Sequence, residues 1–93
     1  MPSEAVRVHI RVYGRVQGVG FRAHVLDAFT TWKLTGWVRN VGYDQVEVVA
    51  EGPRTDLDLF TEEVLRGPRA SRVDRSEVDW EAASGEFSRA EVR

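Results

Sequence analysis

Apolar and polar residues alternate along residues 6–13. Val6, Val8, Ile10 and Val12 fall on one side, and Arg7, His9, Arg11 and Tyr13 on the other. A period of two marks a strand with one buried face. Gly14-Arg15-Val16-Gln17-Gly18-Val19-Gly20 follows and is too rich in glycine for either regular element. From Phe21 the period lengthens: Phe21, Val25, Ala28, Phe29 and Trp32 recur at helical spacing. This helix is expected to end near Lys33 or Leu34, before Thr35-Gly36. Residues 37–41 and 45–51 read as the second and third strands, joined as a hairpin through Val41-Gly42-Tyr43-Asp44. Gly52-Pro53 then breaks the chain. Thr55 and Asp58 resemble a capping box, with Asp in place of the usual Glu. Leu57, Phe60, Val64 and Leu65 supply the stripe of a second helix, closed by Gly67-Pro68. Residues 73–80 read as a fourth strand with Val78 and Trp80 turned inward, and 87–92 as a short fifth.

The order β-α-β-β-α-β predicts an α+β fold of the ferredoxin-like kind, an antiparallel sheet with two helices on one face and a fifth short strand appended. The length of 93 residues suits one domain, taken as 1–93 with a core over 5–92. A strand–helix–strand crossover makes strands one and two parallel. Their C-terminal ends then lie at the same edge of the sheet. The glycine-rich loop follows strand one and Asn40 ends strand two, so the loop, Arg22 and Asn40 are expected to face one another across a shallow pocket.

Composition narrows the chemistry. The absence of cysteine removes disulfides, thiolate metal sites and cysteine nucleophiles. With only the histidines His9 and His24, a multi-histidine metal site is not expected either. No apolar run approaches the ~20 residues a membrane span requires. The expectation is a cytoplasmic protein without membrane contact. The net charge of −2 argues against nucleic acid as a partner. It leaves room for a small anion held by a local positive site.

The loop suits such an anion. Glycines let successive N–H groups point inward as a nest, and the helix that starts near Phe21 adds its positive dipole end. Arg22 stands in the first helical turn, where a cation opposes the dipole; a bound anion would relieve that conflict. Its planar fork also matches phosphate oxygens. Each feature has a plainer explanation. Glycine-rich turns are common after strands, a lone arginine is usually solvated, and Asn40 before a hairpin can be turn chemistry. His9 and His24 read as a solvent-face strand residue and a partly exposed helix residue, and Trp37 and Trp80 as packing groups. Gly18, Gly20 and Ala23 also match G-x-G-x-x-A, yet 93 residues cannot supply the parallel βαβ units of a dinucleotide fold.

Taken together, Gly14-Arg15-Val16-Gln17-Gly18-Val19-Gly20-Phe21-Arg22 resembles the phosphate-binding segment of the acylphosphatase family. Gly36-Trp37-Val38-Arg39-Asn40 resembles the family's second signature, at a matching distance. Val46-Glu47-Val48-Val49-Ala50-Glu51-Gly52-Pro53 resembles its third strand. The resemblance covers roughly residues 6–80 and implies hydrolysis of acyl phosphates without metal or cofactor. It implies that Arg22 and the backbone amides of Arg15, Val16, Gln17, Gly18, Val19 and Gly20 bind the phosphate. It further implies that Asn40 orients the attacking water. Neither histidine lies in these motifs, so neither is expected to be needed for turnover. Lys33 departs from the family pattern, which has a glycine there, so the helix end is expected to be built differently. Residues 81–93 match only loosely.

Two other functions compete with this one. The resemblance extends to domains of carbamoyl-transfer proteins, but the further domains of those proteins are not in this sequence, which favours a free-standing enzyme; the pattern shows no self-pairing surface, so a monomer is expected. RNA recognition motifs share the element order but stack bases on aromatics of strands one and three. Gln45-Val46-Glu47-Val48-Val49-Ala50-Glu51 has no aromatic and two acids, so RNA binding is disfavoured.

Overall fold

The alternation of the first strand becomes β1 (Ala5–Arg15), in which Val8, Ile10 and Val12 are fully buried. The remaining elements are α1 (Phe21–Thr31), β2 (Thr35–Val41), β3 (Gln45–Pro53), α2 (Arg54–Arg66), β4 (Arg72–Ala82) and β5 (Ala90–Val92). This is a computed structural model, and it describes residues 5–93; residues 1–4 of the expected domain lie outside the described residues.

The sheet order is β4-β1-β3-β2-β5. β1 and β2 each pair antiparallel with β3, which lies between them. They therefore run parallel to one another, and their C-terminal ends share one edge of the sheet. The sheet is mixed rather than purely antiparallel, because β5 joins the outer side of β2 in parallel. β5 is also shorter than the expected 87–92. After β4 the chain crosses from one side of the sheet to the other. Glu51 on β3 fastens this crossing by accepting the backbone N–H groups of Ser84 (2.9 Å) and Gly85 (3.0 Å). The Gly36 N–H donates to the Arg89 carbonyl (3.1 Å) and the Arg93 N–H to that of Val38 (2.9 Å).

Both helices lay their apolar stripes on one face. Phe21, Val25, Ala28 and Phe29 of α1 and Leu57, Phe60 and Val64 of α2 are buried. Phe29 meets Phe60 with ring centroids 4.8 Å apart. Burying each such side chain contributes roughly 1.5–3 kcal/mol. Val78 and Trp80 of the edge strand β4 are half-buried against this core, and the Arg54 guanidinium stacks on the Trp80 ring at 3.7 Å.

Two helix ends differ from expectation. The capping box does not form at α2. Pro53 holds the cap position in an extended conformation, no side chain caps the helix, and Asp58 instead accepts from Arg54 Nε (3.2 Å). β3 runs through Gly52 and Pro53, paired with Val6 and Ala5. The helix therefore starts before Thr55, which is already inside its first turn. At the end of α1, Lys33 adopts the left-handed conformation (φ 52°) that a glycine would take. Leu34 N–H donates to the Phe29 carbonyl (2.9 Å) and Lys33 N–H to that of Thr30 (3.3 Å). The helix thus closes by the usual Schellman pattern in spite of the lysine.

Candidate active site

β1 delivers the loop to the shared sheet edge. Its pairing with β4 shifts register between Tyr13 and Gly14, and the Gly14 N–H donates to the Asp44 carbonyl (2.9 Å). Val16 is buried and pins the loop into the core. Gly18 (φ 71°) and Gly20 (φ 80°) are left-handed, and a Cβ on either would meet nothing within 4 Å. Their need for glycine is therefore conformational, and the space beside them is open. Gly20 is also the N-cap of α1; no side chain caps this end, and its first turn holds no acid. The first amides of the helix are left for another acceptor.

A pocket of about 410 Å³ opens at this point, and Val16, Gln17, Gly18, Gly20, Phe21, Arg22, Ala23, Leu26, Asn40 and Val92 line it. The loop, Arg22 and Asn40 thus meet as the connectivity predicted. Arg15 and Val19 flank the pocket without lining it. The Arg15 side chain is exposed, and Val19 packs partly against the core. Arg22 is exposed and makes no ion pair among the described residues. Asn40 shares the helix side of β2 with the buried Val38, and its Oδ1 is buried without a hydrogen-bond partner.

Four lining residues, Phe21, Ala23, Leu26 and Val92, were not foreseen as part of the site. Leu26 was legible in principle, since it stands four residues after Arg22 on the same helix face. Val92 was not, because it arrives by the crossing from β4. The Gln17 side chain was also missed. Its Nε2 donates to the carbonyls of Gln45 (2.9 Å), Gly42 (3.1 Å) and Val41 (3.3 Å).

The histidines lie elsewhere. His24 Nε2 donates to the Glu63 carbonyl on α2 (3.0 Å), and His9 bonds Glu47 on the other face of the sheet. Burial pushes the Glu47 carboxyl up, but the hydrogen bonds from Arg39 and His9 prevail and hold it below the ordinary carboxylate value. Among the described residues, no three His, Asp or Glu side chains converge as a metal site. No helix there is long and apolar enough to cross a membrane.

Fold and pocket together define a ferredoxin-like α+β protein with a glycine-rich loop and an uncapped helix N-terminus beside a pocket at one sheet edge. The family model described as Acylphosphatase matches residues 8–92. An acylphosphatase of Syntrophotalea carbinolica is 44% identical over 88 residues, which cover 95% of this chain and 96% of that protein. One from an Anaeromyxobacter species is 42% identical and covers 98% of both chains. The crystal structure of the Bacillus subtilis acylphosphatase superposes with a TM-score of 0.90 at 38% identity, covering 95% of this chain and 98% of that one. The chain belongs to the acylphosphatase family and is an enzyme of that class.

Proposed function

We propose that this enzyme cleaves the carboxyl–phosphate bond of acyl phosphates, with Arg22 and the loop amides holding the phosphate and Asn40 orienting the water. The observation that carries this reading is the meeting of a guanidinium without an ion-pair partner among the described residues, an uncapped helix N-terminus and the Asn40 side chain in one pocket. The guanidinium fork and the amides of residues 15–20 grip the phosphoryl oxygens and take up charge spread over them in the transition state. The Asn40 side-chain amide hydrogen-bonds the water and turns its oxygen toward phosphorus. The water oxygen forms the new bond to phosphorus as the bond from phosphorus to the acyl oxygen breaks. The carboxylate departs with that electron pair, and the water's proton passes to a phosphate oxygen. A carboxylate is a good leaving group, which reduces the need for a protein acid.

The test is hydrolysis of benzoyl phosphate by the purified chain without added metal, beside Arg22→Gln. Parent turnover with a loss of at least about 1,000-fold in the variant is expected, on the scale of removing a transition-state arginine. Equal turnover by both proteins would reject the assignment of Arg22.

A further inference from the structure

The Gln17 side chain leaves the loop and reaches the neck of the β2–β3 hairpin. Its two N–H groups are shared among three carbonyl oxygens, those of Val41, Gly42 and Gln45. Val41 directly follows Asn40, and Val41 and Gln45 are the last paired residues before the turn. One side chain thus ties both legs of the hairpin, beside Asn40, to the loop that faces the pocket. Besides this tie, the Gly14 N–H to Asp44 carbonyl bond joins the root of the loop to the turn. We propose that Gln17 is a positioning residue, setting the distance between the phosphate held by the loop and the water held by Asn40. The inference rests on the roles given above to Arg22 and Asn40. Its physical basis is the steep dependence of rate on alignment, since a misplacement of ~1 Å can cost about 100-fold. Both side-chain donors are taken up by hairpin carbonyls, so the Gln17 side chain acts through what it holds in place.

Gln17→Met keeps the length of the side chain and removes both donors. Gln17→Ala is measured in parallel, so that a misfit of the thioether does not decide the result. Turnover of benzoyl phosphate and inhibition by inorganic phosphate are read with Asn40 intact and in Asn40→Ala. With Asn40 intact, kcat is expected to fall roughly 10- to 100-fold, while the phosphate inhibition constant stays within about threefold. In Asn40→Ala, where no positioned water remains to be misplaced, the further loss is expected to shrink below about threefold. An equal loss in both backgrounds, or a phosphate constant that weakens in step with kcat, would overturn the proposal and make Gln17 a support of the loop alone. Unchanged kcat in both Gln17 variants would also overturn it. If Asn40→Ala by itself keeps the parent kcat, the role of Asn40 fails and takes this inference with it.

Discussion

Arg22 sits in the first turn of α1 with no acid near it in that turn and no ion-pair partner among the described residues. A cation placed there opposes the helix dipole by about 0.3–1 kcal/mol, a cost that a bound anion removes. The fork, and not only the charge, is what fits a phosphoryl group. Arg22→Lys keeps the charge and loses the two-point contact. We expect its kcat/KM for benzoyl phosphate to fall at least about tenfold, roughly one strong hydrogen bond, with phosphate inhibition weakened alongside. Unaltered phosphate inhibition in this variant would show that charge alone suffices. Asn40 presents the complementary case. A buried oxygen without a partner costs about 1–3 kcal/mol, so stability does not explain its retention. Both residues stood out in the sequence by their motifs. That Asn40 Oδ1 is buried and unpartnered was not legible, because burial depends on what packs over β2.

At the scale of elements, the periodicities placed β1, α1 and α2, whose buried residues recur along one face. The ends were less legible, since they depend on backbone geometry that the apolar pattern does not record. Lys33 is the clearest instance. The Schellman bonds at the end of α1 force a left-handed residue there, and a lysine fills the position at an exposed site. Replacing it with glycine removes the steric penalty on the left-handed conformation. Lys33→Gly is expected to stabilise the fold by about 1 kcal/mol, which corresponds to a rise of about 4–8 °C in Tm for a domain of this size. Thermal unfolding followed by circular dichroism reads this directly. A fall in Tm would mean that the lysine stem supplies packing that outweighs its backbone strain. At α2 the failed capping box has a similar origin, because β3 extends through Pro53 and leaves Thr55 inside the helix.

Across the whole molecule, the crossing from β4 to β5 spans the sheet and is fastened at Glu51. This carboxylate is buried and accepts from Arg7, Ser84 and Gly85. Burial pushes its pKa up, but the amide of Ser84, the Arg7 guanidinium and the amide of Gly85 prevail and hold it below the ordinary value of 4.5. A carboxyl depressed in the folded state contributes stability above its unfolded pKa and loses it as pH falls through the folded one. Acidification below 4.5 is therefore expected to destabilise the protein. Glu51→Gln should be less stable near neutrality and should lose less on acidification. Urea midpoints at about pH 7 and about pH 3.5 for both proteins test this. Glu47 and Glu86 are shifted in the same direction, so the slope should be reduced rather than abolished. An identical slope in the variant would show that Glu51 is not a source of the acid sensitivity.

The sequence by itself determined the element order, the apolar face of β1 and of both helices, and the two motifs that meet at the site. Each of these follows from local periodicity or from the handedness of a crossover. Residues 6–13, for example, can bury Val8, Ile10 and Val12 only as a strand with one covered face, and the crossover then brings Arg22 and Asn40 to the same sheet edge. Only the tertiary structure decided the direction of β5, the presence of Val92 in the pocket, the clasp at Glu51 and the tie made by Gln17. These depend on contacts between residues far apart in the chain, such as Glu51 with Gly85 and Gln17 with Gln45. Periodicity says which face a residue occupies. It does not say which distant backbone group will stand opposite.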